Sequence, residues 1–228
     1  MQFLHYLKYF FYIALNWNVK LALFTIYHEI RGEKKYGIRT SKLNDLTKLS
    51  VKGNNKKHAE IYQGANYFLL ESVLRYLQNI GANKNIIDYG CGKGRVLAVA
   101  AFYGFNKITG IEFSEELCNE ARKNIAPLQL RFPKKVFNVI LINAIDYKIE
   151  DNVNVFFFFN PFNEIVMNKI ITDILTSINK NKRIIHVAYI NPRHKQLFIN
   201  EGFTEVFYIK KMNYAEASIL SNVAEKAA

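Results

Sequence analysis

The sequence predicts an α/β fold, a mostly parallel sheet covered by helices on both faces, and three observations carry that prediction. From residue 85 onward, short apolar runs alternate with helix-length segments, the pattern of strands joined by helical crossovers. One run, Phe156-Phe157-Phe158-Phe159, is apolar on both faces and so requires a strand covered on both sides. The third observation is the stretch Ile86-Ile87-Asp88-Tyr89-Gly90-Cys91-Gly92-Lys93-Gly94-Arg95, an apolar strand ending in an acid, followed by three alternating glycines and a helix start. Glycine has no Cβ and reaches positive φ cheaply, so backbone in such a loop approaches a ligand closely. The helix start behind it offers free N–H groups to negative charge.

The elements follow in chain order. Residues 3–30 hold no Gly or Pro and a single acid, Glu29, which predicts one long helix or two close ones. Their polar positions spread round the helical wheel, so the segment is buried or touches a membrane. Its longest uninterrupted apolar run, 9–15, is far short of the ~20 residues of a spanning helix. No small-residue cleavage site follows it, so it is a poor signal peptide. It reads as a helical cap on the domain, with an interfacial anchor as the alternative, Trp17 and the tyrosines then lying at headgroup level. Residues 31–57 are polar and Lys-rich, which predicts a mobile connector or lid. A helix is expected over 58–79, ended by Gly81.

Strands are expected at 85–89, 107–112, 137–142, 153–159 and 183–188, with helices at 95–103, 114–125 and 163–178 between them. Ser114 is placed as the N-cap of the second of these. A short helix over 192–200 with Pro192 in its first turn precedes two final strands, 203–209 and 216–223. No internal repeat or low-complexity tract is present. The division expected is an N-terminal apolar helical extension with its polar connector, 1–57, and a catalytic-type α/β domain, 58–228.

The glycine spacing separates two kinds of nucleotide site. A dinucleotide fingerprint is G-x-G-x-x-G, but here the glycines fall at 90, 92 and 94, and no G-x-x-x-x-G-K-[ST] phosphate loop exists. A second apolar run, Ile108-Thr109-Gly110-Ile111, ends in Glu112, 18 residues past Gly94, where a carboxylate can accept from ribose hydroxyls. The D-x-G-x-G-x-G pattern with Glu112 behind it resembles motif I of class I S-adenosylmethionine-dependent methyltransferases. That resemblance implies a Rossmann-like sheet of seven strands whose last strand is antiparallel and inserted beside the fifth, which the two C-terminal strands fit. It implies S-adenosylmethionine as cofactor, with Asp88, Tyr89, Gly90, Gly92, Gly94, Glu112 and Phe113 lining its pocket. In that family the loop holds the amino-acid end and the ribose region.

Ligands of such sheets bind beyond the carboxyl ends of the strands. Asn143-Ala144-Ile145-Asp146, after the third strand, resembles the family's adenine site, with Asp146 accepting from the exocyclic amine. Asn160-Pro161-Phe162, after the Phe strand, resembles motif IV of amino-methylating members. There Asn160 would hold the target nitrogen and face the cofactor, and Phe162 would pack on the acceptor. The second proline of that motif is missing. The shorter Asn-Pro-Phe, Tyr62 upstream and the Gly-Lys-Gly-Arg form of motif I resemble a little-characterised group of small bacterial methyltransferase-like proteins.

The chain has 228 residues and a formal net charge of +12. Lysines number 23 against 8 arginines, and they are scattered among Asn, Ile, Phe and Tyr, the residues that AT-rich coding favours. Arg is the better bidentate phosphate ligand, so compositional drift is read ahead of nucleic-acid binding. Cys91 and Cys118 show neither metal spacing nor a disulfide framework, which points to reduced thiols and a cytoplasmic setting. No metal site is expected. His186 reads as a core histidine, His58 and His194 as surface residues. Tyr62, Gln63 and Tyr67 either close over the cofactor or pack. The function expected is N-directed methyl transfer to a protein side chain, small amine or nucleobase. The alternative is a noncatalytic cofactor-binding or membrane-surface scaffold of the same fold.

Overall fold

The computed structural model describes residues 2–41, 63–82, 84–159 and 162–223. Seven strands form one sheet in the order β3-β2-β1-β4-β5-β7-β6. They are β1 (Asn85–Tyr89), β2 (Lys107–Glu112), β3 (Val136–Leu141), β4 (Val155–Phe159), β5 (His186–Ile190), β6 (Thr204–Lys211) and β7 (Ala215–Ser221). The first five are mutually parallel, and β7 runs antiparallel between β5 and β6. This is the Rossmann-like arrangement that the resemblance implies.

The Phe strand explains why the sheet needs helices on both sides. Successive side chains of a strand point to opposite faces. Phe157 joins a core with Leu70 and Leu74 of α3 (Tyr67–Asn79) and Val96 of α4 (Arg95–Phe102). Ile125 of α5 (Glu115–Arg131) closes this layer. Phe156 and Phe158 join the opposite core with Met167 and Ile170 of α6 (Glu164–Lys180) and Phe198 of α7 (Lys195–Asn200). All three phenylalanines are fully buried.

The N-terminal segment forms two antiparallel helices, α1 (Gln2–Asn16) and α2 (Val19–Tyr36), with Asn18 capping the second by accepting from the Leu21 N–H at 2.8 Å. α2 therefore runs six residues into the stretch expected to be connector. The reason is Gly32: a Cβ there would sit 2.3 Å from the Tyr67 ring, so its absence lets α2 lie flat on α3. Gly37, at φ 69°, ends α2. The rest of the expected connector, 42–57, lies outside the described residues, as do Tyr62 and His58.

Four other boundaries differ from the sequence reading by three residues or more. α3 starts at Tyr67 and 63–66 lie before it, because Asn66 caps it through the Phe68 N–H; 58–62 of the expected helix lie outside the described residues. α5 continues through Pro127 to Arg131. β5 begins three residues late, because Arg183 is spent on the carbonyls of Val153, Ser177 and Asn181. α7 begins at Lys195, and Pro192 lies in the turn before it.

Candidate functional site

The parallel register sets the carboxyl ends of four strands side by side, with Tyr89 opposite both Ile111 and Phe158, and Glu112 opposite Leu141. The loops that follow therefore share one edge of the sheet, where ligands of open α/β sheets bind. Tyr89 gives this edge only its backbone, since its ring is buried and stacked on Phe158 at 5.2 Å. Asp88 lies on the other face, 3% exposed, with no hydrogen-bond partner among the described residues. Burial, then the charge of Glu112, pushes its carboxyl well above the usual range.

Gly90, Gly92 and Gly94 all have positive φ, at 79°, 51° and 78°, conformations that side chains strain to reach. The loop folds back over β2, the N–H groups of Gly90 and Cys91 both donating to the Ile111 carbonyl at 2.9 Å. Glu112 then clasps it. One carboxylate oxygen accepts from the Gly92 N–H at 2.9 Å, and the other from the N–H groups of Phe113 and Ser114 at 3.0 Å. A carboxylate offers about four lone-pair sites, so the oxygen facing Gly92 has one acceptor position unfilled by these three donors. Burial raises the Glu112 pKa, and the three N–H bonds pull it back.

The loop is also tied to the N-terminal helices, which sequence reasoning did not foresee. Arg95, the first residue of α4, is buried and forms a bidentate pair with Glu29 of α2, both distances 2.7 Å. Its Nε donates to Thr40 Oγ1 and its Nη1 to the Ala65 carbonyl, and its guanidinium lies 4.3 Å over the Tyr67 ring. Asn124 of α5 completes the tie, donating to the carbonyls of Arg39 and Lys93 and accepting from the Arg39 N–H. The signal available in sequence was Glu29, the lone acid of an apolar segment, which had to find a cation if buried. Tyr67 and Gln63 are packing and tying residues here: Tyr67 is buried under Arg95, and Gln63 donates to the Tyr9 hydroxyl.

At the end of β3, the Ile142 N–H donates to the Glu112 carbonyl, bringing this loop beside the clasp. Asn143 caps a single 3-10 turn (Ala144–Asp146), and Asp146 stands exposed at its end. Phe113 is half-buried. At the end of β4, Asn160 and Pro161 lie outside the described residues. Phe162 is half-buried against the core shared with α6, and Asn163 caps that helix through the Val166 N–H.

Ser114 caps α5, accepting from the Leu117 N–H at 3.3 Å. His186 is buried in β5 with burial lowering its pKa, as expected of a core histidine, and His194 is half-buried before α7. Burial pushes the Cys91 thiol well up and that of Cys118 to about 11, so neither is an activated nucleophile at neutral pH. Among the described residues no group of three His, Cys, Asp or Glu is placed to hold a metal, and no helix is long and apolar enough to cross a membrane. A groove of about 360 Å³ between α5 and β3, lined by Arg122, Gln129 and Phe137, contains none of the strand-end loop residues.

These features define an α/β protein with a glycine loop at the strand-end edge of its sheet and two buried carboxyls, Asp88 and Glu112, on the strands beside it. The family described as methyltransferase domain matches residues 80–225, and the chain belongs to it. No curated protein matches the sequence. Among solved structures, it is similar to N-methyltransferase NodS from Bradyrhizobium japonicum WM9, at 12% identity and a TM-score of 0.52, over 67% of this chain and 93% of that one. It is similar to magnesium protoporphyrin IX methyltransferase from Synechocystis PCC 6803 with bound SAM, at 15% identity and a TM-score of 0.50, over 67% and 76%. A SAM-dependent methyltransferase from Leishmania major matches at 12% and a TM-score of 0.50, over 68% and 73%. At these identities the likeness is one of fold.

Proposed function

We propose that this methyltransferase uses S-adenosylmethionine and delivers the methyl group to a nitrogen. The observation that carries the cofactor reading is the Glu112 clasp. It bonds the middle one of three positive-φ glycines, Gly92, and leaves one acceptor position free. When bound, the cofactor supplies a methyl group on a positively charged sulfur. Asp88, Gly90, Gly92 and Gly94 would shape the cavity, and a bound cation would favour the ionised form of Asp88 and Glu112 in a water-poor setting where such charge counts most. Glu112 would accept from ribose, Asp146 from the adenine amine, and the backbone of Tyr89, Phe113 and Asn143 would line the walls.

The nitrogen reading rests on Asn160-Pro161-Phe162 following the buried β4. Asn160 would accept from the acceptor's N–H groups and so aim its lone pair. In-line displacement needs alignment more than acid–base power. Phe162 would pack beside the acceptor, a protein side chain, small amine or nucleobase.

Two measurements test the reading. Calorimetric titration with S-adenosylmethionine should show binding that Glu112→Ala weakens at least tenfold, about 1.4 kcal/mol. No binding by folded wild type would sink the cofactor claim. A methyl-transfer screen should then show Asn160→Ala binding cofactor normally while losing turnover. Full activity in that variant would remove Asn160 from its assigned role.

A further inference from the structure

We infer that the α1–α2 hairpin docks this enzyme on an anionic lipid surface. The hairpin has a small core of its own, Tyr9, Ile13, Leu21 and Ala22, so its remaining apolar side chains are not needed to hold it together. On α1 the stripe Leu4, Leu7, Phe11 and Leu15 points to solvent, Leu15 at 83% exposure. On α2, Val19, Leu23 and Tyr27 do the same, and Trp17 stands exposed in the turn between the helices. Exposed apolar side chains scattered singly are ordinary, but two continuous stripes mark an interaction surface.

The charges say what covers it. Residues 2–41 contain two acids, Glu29 and Glu33, and both are buried. Glu29 is spent on Arg95, and Glu33 on the Tyr6 hydroxyl and the N–H groups of Thr40 and Ser41. Every exposed charge of the hairpin is therefore positive. Lys8 lies within the α1 stripe and Lys20 and Lys34 within that of α2, while Arg31 and Lys35 pair with the buried Glu71. A surface facing water normally mixes both signs. Apolar and aromatic side chains interleaved with lysines alone fit the interface of a negatively charged leaflet, the aromatic rings at headgroup depth. A nucleic acid would use the cations and leave the leucines exposed, so lipid is the partner that accounts for both.

The test is flotation of the full chain with phosphatidylcholine vesicles, with and without phosphatidylglycerol. Wild type should float with the anionic vesicles, less with neutral ones, and less in high salt. Phe11→Asp/Leu23→Asp should lower partitioning by about tenfold or more, each exposed side chain losing its burial in the interface. Lys8→Glu/Lys20→Glu should abolish the preference for anionic vesicles. Both doubles alter solvent-facing positions and should bind S-adenosylmethionine as wild type does, which separates failure of docking from failure to fold or of the cofactor reading. Three results overturn the inference: no flotation by folded wild type, flotation undiminished in the Phe11/Leu23 double, or RNA binding without lipid binding. So does a light-scattering dimer that this double makes monomeric, which would assign the stripes to a second copy.

Discussion

Asp88 and Glu112 are buried carboxyls held above their ordinary pKa, and the sign of that shift makes a prediction. Burial is the first cause for both, and the protonated form is favoured in the folded chain. Their contribution to stability is full below the unfolded values, about 4, and is lost as pH rises through the raised folded ones. A positively charged ligand favours the ionised form. Cofactor binding should therefore strengthen with rising pH across that window and release protons. Titration in two buffers of different ionisation enthalpy reads the protons directly, and Asp88→Asn should reduce their number. Burial raises the Glu29 pKa as well, but this carboxyl has a complete partner in the buried Arg95. Removing one partner leaves an uncompensated charge, a cost of about 3–5 kcal/mol. Denaturant unfolding of Glu29→Ala, Arg95→Ala and the double should show strong non-additivity, the double falling well short of the sum.

At the scale of elements, legibility followed the range of the forces involved. β1 and β2 were readable to the residue because their apolar runs end in acids and their neighbours are turn formers. Ser114 was readable as a cap because its partner is three residues away. The continuation of α2 through 31–36 was not, because the side chain that demands Gly32 is Tyr67, 35 residues further on. The start of α3 has both a local cause, the Asn66 cap, and a distant one, the claim of Arg95 on the Ala65 carbonyl. Gly32→Ala puts this to the test. In an isolated helix the change would help, since Ala is the better helix former by about 1 kcal/mol. Here the new methyl meets the Tyr67 ring, and overpacking costs about 1–3 kcal/mol. The variant should melt lower than wild type and expose the α2–α3 seam to limited proteolysis. A higher melting temperature would mean the seam is loose.

For the whole molecule, the alternation of strands and helices was legible because it is a local pattern summed over a long chain, while the order of the strands followed from the family resemblance. The junction with the N-terminus was not, since it depends on one pair 66 residues apart. That pair bears on where the folding unit begins. The sequence divides at 57, and the family matches from 80. Yet α2 supplies Glu29 to the residue directly behind the glycine loop, and segment 37–41 is bonded to Asn124, which also holds the Lys93 carbonyl. α1, by contrast, packs on α2 among the described residues, with Tyr6 donating to Glu33 and Tyr9 accepting from Gln63. We therefore expect two truncations to behave differently. Deleting 1–17 removes the outer helix and should leave a folded protein with cofactor affinity within about threefold of wild type, a difference under 1 kcal/mol. Deleting 1–41 strands the Arg95 guanidinium in an apolar setting and uncovers Tyr67. That protein should be poorly soluble or melt far lower, with cofactor binding lost in whatever fraction stays folded. Equal cofactor binding by the two truncations would show that the glycine loop keeps its shape without α2, and would return the boundary to residue 57.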